Sequence, residues 1–531
     1  VIHRRDRTRT TPASGSGTRR ALALMWGVLT PASVVVAINA LDPQQPSTGF
    51  VWALVAASCA IIGLFIAGYG ERRNALAPVC LAAVYLFGLY PFHGFITFGD
   101  GEILARVGTD AEYWRSIAAL WVAVGTPFFW LGFRSRLMAS LLARLPKANW
   151  HIDDTAAGTV TRALIIAGFG WVARVASYLL GFHFHQVGPT AIASDALPFQ
   201  YVVTLLADIP TVIVTYLAMI GAVHKRRSLL LTIALPLLGL ELGWGLISGS
   251  RFKMLLPLAA VAIGLSRAYR PVALTRVAVG LAVFATVLFP LVTALRTGLF
   301  TQRVEIERGG FTRETVGRSI ESALEDETGF EGDEDDSLKL LGERLHALTS
   351  FALVIRYTPE RHPYRLGEQF LMTPLVMVIP RVVWPDKPTP GEFTRVFKRM
   401  YWGLYDQGTS IAPSQLGGFW SNFGFVGVFL GMWLSGLLYG LLMRDLSFGT
   451  NGKSFYPLAV TSTLLPTLIQ TFESEFEPLI EGLPKMLLIH FLVAWGLSKA
   501  LRPQRRTTTS TEARSPSGSK PPSAATAANL P

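Results

Sequence analysis

Residues 228–248 read SLLLTIALPLLGLELGWGLIS, and residues 252–268 read FKMLLPLAAVAIGLSRA, with Gly249-Ser250-Arg251 between them. Each run approaches the length of about 20 apolar residues that carries a helix across a hydrocarbon core about 30 Å thick. His224-Lys225-Arg226-Arg227 precede the first run, and a basic stretch from Arg267 to Arg276 follows the second. Lys and Arg collect in cytoplasmic loops, so this pair reads as a membrane hairpin whose turn, at Arg251, lies outside the cytoplasm.

Working outward, the same pattern recurs. Twelve spans are expected: 21–41, 50–69, 75–97, 116–133, 160–181, 200–223, 228–248, 252–268, 274–295, 423–443, 455–472 and 484–500. Basic connections (Arg72-Arg73, Arg134 to Lys147, 224–227, Arg267 to Arg276, Arg444 to Lys453) alternate with loops poorer in Lys and Arg at 42–49, 98–115, 182–199 and 473–483. The expectation is an all-α, polytopic protein of the bacterial cytoplasmic membrane with both termini cytoplasmic. The first span is read as retained, because no small-residue cleavage site follows it.

Composition agrees. Of 531 residues, 50% are hydrophobic and 16% charged, against roughly 25% charged in soluble domains. Soluble folds are thereby excluded. The net charge of +12 is concentrated in the tails, +5 in residues 1–20 and +4 in 501–531. Neither tail interleaves aromatics with its basic residues, so nucleic acid is not an expected partner. Topology and contact with anionic headgroups account for them. The two cysteines, Cys59 and Cys80, both fall in apolar segments, which argues against a structural disulfide or thiolate metal site.

Five regions follow: a basic tail (1–20), nine spans (21–295), a large extracytoplasmic connection (296–422), three spans (423–500) and a Ser/Thr/Pro/Ala-rich tail read as disordered (501–531). A connection as long as 296–422 is usually functional. Within it, the acidic stretch 321–336 reads as solvated and mobile. Residues 337–357 have helical period, with Leu341, Leu345, Leu348 and Ala352 on one face and Lys339, Glu343, His346 and Ser350 opposite, Arg344 beside them. Residues 370–383 form an apolar run too short to cross the bilayer.

Charges inside a bilayer are costly, which makes each one either a packed ion pair or a functional group. Arg174, Asp208 and Glu241 are the three expected here. Arg251 either snorkels to the headgroups or grips a phosphate bidentately, its small neighbour Ser250 letting the ligand approach. The densest constellation is Ile379-Pro380-Arg381-Val382-Val383-Trp384-Pro385-Asp386-Lys387-Pro388. Three prolines preset its shape, its cations suit a phosphate and its indole suits a sugar ring. Ser410-Ile411-Ala412-Pro413-Ser414-Gln415-Leu416-Gly417-Gly418 follows, then Asn422-Phe423-Gly424. His183 and His185 form a His-x-His pair in another outer loop, more often solvated than metal-binding.

The order of a Gly-Ser-Arg turn, a large loop with Pro-Arg…Trp-Pro-x-Lys-Pro, and Asn-Phe-Gly before a glycine-rich span resembles the oligosaccharide repeat-unit (O-antigen, Wzy-type) polymerases of bacterial envelopes. The resemblance covers roughly 240–440. It implies a metal-independent glycosyltransferase with no cofactor, whose donor and acceptor are oligosaccharides on polyprenyl diphosphate. It also implies a chain-length regulator and a flippase as partners. The leaving diphosphate would be stabilised by Arg251, Arg381, Arg344 and Lys387. Trp384, Asn422, Ser250 and Arg356 are expected to bind substrate, and His346, Glu343 and Asp386 are the open candidates for a general base. A glycan ligase would need the same cations and donor. A lipid-linked oligosaccharide transporter would fit the intramembrane charges but is expected to show repeated halves, and no internal repeat is evident.

Overall fold

The computed structural model describes residues 15–42, 46–72, 74–100, 108, 110–135, 137, 140, 152–179, 203, 205–247, 251–283, 346–368, 370, 384, 392–404, 411–444, 454–474 and 476–498. Among them helix is the only regular structure. The helices are α1 (Arg20–Asn39), α2 (Ser47–Gly70), α3 (Pro78–Ile96), α4 (Ala111–Arg134), α5 (Ala157–Leu179), α6 (Leu205–Val223) and α7 (Leu229–Gly245). They continue as α8 (Arg251–Ala268), α9 (Leu274–Val283), α10 (Ala347–Tyr357) and α11 (Glu392–Trp402). The last three are α12 (Ser414–Arg444), α13 (Tyr456–Gln470) and α14 (Glu477–Ser498).

Seven helices, α1 to α6 and the part of α12 up to Leu441, are long and apolar enough to cross a membrane. This is a multi-pass membrane protein. The expected spans at 228–248, 252–268, 455–472 and 484–500 correspond to α7, α8, α13 and α14, which are not among those seven. Of the span expected at 274–295, the described part is α9. The acidic stretch 321–336, His183, His185, most of 370–383, residues 1–14 of the N-terminal tail and the whole C-terminal tail lie outside the described residues.

Peripheral spans bury one face and leave the other apolar and outward, whereas α6 is buried on every side from Ile209 to Gly221. On α5, Ile165, Phe169 and Val172 are exposed at helical spacing, while Ala163, Ala167, Gly170 and Arg174 are buried. Such a stripe suits lipid on one side and helices on the other. Prolines occupy the first turn of α3 and, in α6, the first turn after the interruption at Asp208, where the missing N–H has no intrahelical partner to lose.

Two cores form. One joins α2, α3, α4, α10 and α12; the other joins α5, α6, α13 and α14. α13 belongs to both, giving Tyr456, Ala459 and Val460 to the second and Leu465, Leu468 and Ile469 to the first. Polar pins lock the connections. Asp154, just before α5, accepts hydrogen bonds from Tyr216 Oη (2.5 Å), Ser454 Oγ (2.9 Å) and the Phe455 N–H (2.7 Å). Burial pushes its carboxyl above the ordinary value, against the pull of those three donors.

Two expectations need correction. The first concerns the end of the large connection: the span expected at 423–443 is the second leg of α12, but the helix already begins at Ser414 and breaks at Phe423 (φ −140°) and Gly424 (φ 58°). The chain folds back there. Gly125 on α4 faces Leu416 from the first leg and Val428 and Met432 from the second, and a Cβ on Gly427 would meet Phe419 O at 2.1 Å. A straight helix separates residues 416 and 432 by about 24 Å, so the two legs form a tight hairpin, with Ser414 to Asn422 too short to cross. Secondly, the segment ending at Tyr357 was expected to present a polar face including Ser350. In α10 every residue from Ala347 to Ile355 is buried, Ser350 at 0% exposure. The helix is inserted between α4 and α12 rather than laid on a surface, so both faces are covered.

Candidate functional site

The three intramembrane charges meet. Arg174 Nη1 donates to Glu241 Oε1 at 2.6 Å and Nη2 to Oε2 at 2.8 Å, a bidentate pair with both side chains nearly inaccessible. Thr211 Oγ1 donates to the same carboxylate at 2.7 Å, and Arg174 Nε donates to Ala207 O at 2.6 Å. The guanidinium also lies 4.8 Å from the Trp171 ring, which packs edge-on against Trp244. Asp208 feels the charges of Arg174, Lys253 and Glu241, and Lys253 those of Asp208 and Arg174.

Two cations and two carboxylates thus come from four successive helices. Arg174 is near the end of α5, Asp208 near the start of α6, Glu241 near the end of α7 and Lys253 near the start of α8. Antiparallel neighbours place these four positions at one end of the bundle. The Gly245 backbone sits so close to Lys253 and Met254 that a Cβ would lie 2.6 Å from Met254 Cα, which closes the α7–α8 hairpin at this point. Arg251 is the first residue of α8, at the same end. Lys253 and Thr211 were missed from the sequence. The rule that singled out Glu241 applies equally to Lys253, a cation two positions past Arg251 in an apolar run; Thr211 carried no signal.

The other expected site residues divide. Ser250, Glu343, Arg344, Arg381, Asp386 and Lys387 lie outside the described residues, and Trp384 is half-buried. His346 directly precedes α10, its ring edge-on to Trp402 at 6.1 Å. Arg356 pairs with Asp110 at 2.9 Å and lies over Tyr357, tying α10 to the start of α4. The fold therefore uses Arg356 to join elements.

Asn422 is fully buried at the hairpin turn. Its Oδ1 accepts from the Gly367 N–H at 3.0 Å, its Nδ2 donates to Gly418 O at 2.8 Å, and its own carbonyl accepts from Leu366 N–H. These bonds hold residues 365–367 over the end of the first leg. Asn422→Ala leaves the Gly367 N–H without that acceptor, and we expect about 1–3 kcal/mol of lost stability, read as a lower melting temperature of the purified protein. Unchanged melting with lost activity would instead make Asn422 a ligand contact.

No curated protein and no solved structure matches this chain. Residues 173–454, more than half of it, match the family model described as a domain of unknown function (DUF8712). That stretch contains the whole charge cluster, Arg251, α10 and the α12 hairpin, and the chain belongs to the DUF8712 family.

Proposed function

We propose that this protein is a glycosyltransferase that joins polyprenyl-diphosphate-linked oligosaccharide units at the outer face of the bacterial cytoplasmic membrane. The observation that carries the reading is the charge-balanced cluster of Arg174, Asp208, Glu241 and Lys253, which fixes the bundle end where α8 begins at Arg251. A transferase of this kind must neutralise a diphosphate as it leaves. Fixed cations near the membrane boundary do this without a metal. On this reading Arg251, Arg381, Arg344 and Lys387 hold the diphosphate, Trp384 stacks on sugar, and His346, Glu343 or Asp386 takes the acceptor proton. A chain-length regulator and a flippase would then be its partners.

A ligase acting on the same donor would use the same cations. Transport of a lipid-linked oligosaccharide is the second reading, favoured by the broken α12. Discontinuous helices inside a bundle are common at transporter binding sites.

The test is the glycan profile of the host on a gel, with the gene deleted and then restored. The expected result is loss of the polymer ladder while single repeat units are still built and displayed. Full-length chains stranded on the lipid carrier would identify a ligase, and an unchanged profile would remove the transferase reading. Arg251→Ala and Arg381→Ala are each expected to abolish polymer while the protein still accumulates in the membrane. Normal chain length in both variants would remove the phosphate-binding assignment.

A further inference from the structure

The segment Tyr364 to Gly367 closes over the turn of α12 in a strained backbone. Leu366 has φ 50° and Gly367 φ 82°, and a left-handed backbone is rare for a leucine. Three successive N–H groups hold it there. Arg365 donates to Ser421 O at 3.0 Å, Leu366 to Asn422 O at 3.2 Å and Gly367 to Asn422 Oδ1 at 3.0 Å. A Cβ on Gly424 would lie 2.9 Å from Tyr364 Oη, so the same segment also covers the start of the second leg. The outcome is a leucine that stands out from the protein, 72% exposed.

Leu366 continues a longer apolar surface. Phe423, which a Cβ on Gly367 would touch, is exposed. Val426, Leu430 and Leu434 follow at i, i+4 and i+8 and are exposed, while Gly427, Val428, Gly431 and Met432 between them are buried. That stripe suits lipid for the same reason as the one on α5. The second leg rises about 28 Å from Phe425 to Arg444, close to the thickness of a hydrocarbon core, and Arg444 opens a basic connection. Leu366 therefore tops the stripe at the opposite membrane boundary.

α11 lies at the same boundary. It shares a small core with Ala111, the first residue of α4. His362 Nε2–H donates to Met400 O at 3.2 Å, and the hydroxyls of Thr358 and Tyr401 pair at 2.7 Å, which ties α11 to the segment leading to Leu366. Phe397, Lys398 and Tyr401 are buried, whereas Val396, Arg399 and Met400, at i, i+3 and i+4, are exposed.

A single exposed leucine is ordinary, but one kept in a disfavoured backbone at the end of a lipid-facing stripe is not. The exposed charges nearby are of both signs, Glu360 and Glu368 against Arg361 and Arg399, so they select neither an acidic nor a basic partner. The boundary layer of a bilayer fits both features. Apolar tips enter the acyl chains there, and long charged side chains reach the headgroups.

We propose that Leu366, Val396 and Met400 dock the 357–367 segment and α11 onto the bilayer leaflet farther from Arg444, so that both lie in its headgroup layer rather than standing in water. The proposal rests on the multi-pass architecture alone and is independent of the transferase reading.

The test places a nitrobenzoxadiazole probe on Leu366→Cys in the full-length protein, in phosphatidylcholine nanodiscs, with Cys59 and Cys80 replaced by alanine. Glu360→Cys is the aqueous reference and Leu430→Cys the deep-lipid reference. The probe at 366 is expected to be quenched by lipids carrying a nitroxide near the headgroup end of the acyl chain, at a depth of about 5–10 Å. Aqueous iodide should quench it severalfold less than the probe at 360, and nitroxides near the chain end should act most on the probe at 430. Iodide quenching at 366 equal to that at 360 would overturn the docking by placing the tip in water. Protection from both quenchers would overturn it by placing protein there, either a second copy or residues 371–383. If Leu366→Cys fails to accumulate, Met400→Cys carries the same test, with the same two overturning results.

Discussion

Gly436→Val is expected to leave almost no folded protein in the membrane. A Cβ on Gly436 would lie 1.9 Å from Phe129 O, and one on Gly132 would lie 1.9 Å from Trp433 O. Gly440, one turn further along α12, would meet Phe133 O at 2.6 Å. These are backbone atoms, which have no rotamer by which to move aside. The helices α4 and α12 touch main chain to main chain because small residues face each other, the usual basis of close packing between helices in lipid. Valine must push them apart along a long shared crossing, costing at least the ~3 kcal/mol upper end usual for overpacking. Size-exclusion profiles of a fluorescently tagged protein measure the outcome. Gly168→Val and Gly239→Val are the controls, since nothing lies within 4 Å of either added Cβ, and both should run like wild type. A monodisperse Gly436→Val with normal melting would mean that the α4–α12 contact is not as described.

Arg174→Ala should be nearly as damaging, for an electrostatic reason. It leaves Glu241, 2% exposed, with Thr211 as its remaining hydrogen-bond donor. Removing one partner of a buried ion pair typically costs about 3–5 kcal/mol, because the survivor stays charged and desolvated. The paired change Arg174→Leu with Glu241→Leu removes both charges and should recover most of the lost melting temperature. On the proposed function this double variant is folded but makes no polymer, since Asp208 loses the attraction of Arg174 that helps fix it beside Lys253. Full activity in the double variant would reduce the Arg174–Glu241 pair to a packing device.

Much of this architecture was readable locally. An apolar run such as 47–70 can satisfy its backbone in lipid only as a helix, so its existence follows from composition. The individual cost of Arg174, Asp208 and Glu241 was readable for the same reason. The first leg of α12 was not. Residues 410–418 hold two serines, a glutamine, a proline and two glycines, a composition that reads as loop. Of these, 414–418 become a buried helix only because α4, α10 and the second leg surround them. α10 misled in the opposite direction: its periodicity predicted a solvated face, yet Ser350 is enclosed.

The sequence by itself determined which segments are apolar helices and which of them carry a charge that needs an explanation. Hydropathy and spacing are properties of a short window, and lipid allows few alternatives to a helix. Only the tertiary structure decided which charge answers which. It joined Arg174 to Glu241 across 67 positions, folded α12 back at Gly424 and set the Asn422 amide against the Gly367 N–H. Those outcomes depend on the rotation and depth of each helix against its neighbours, and no single window of sequence contains them.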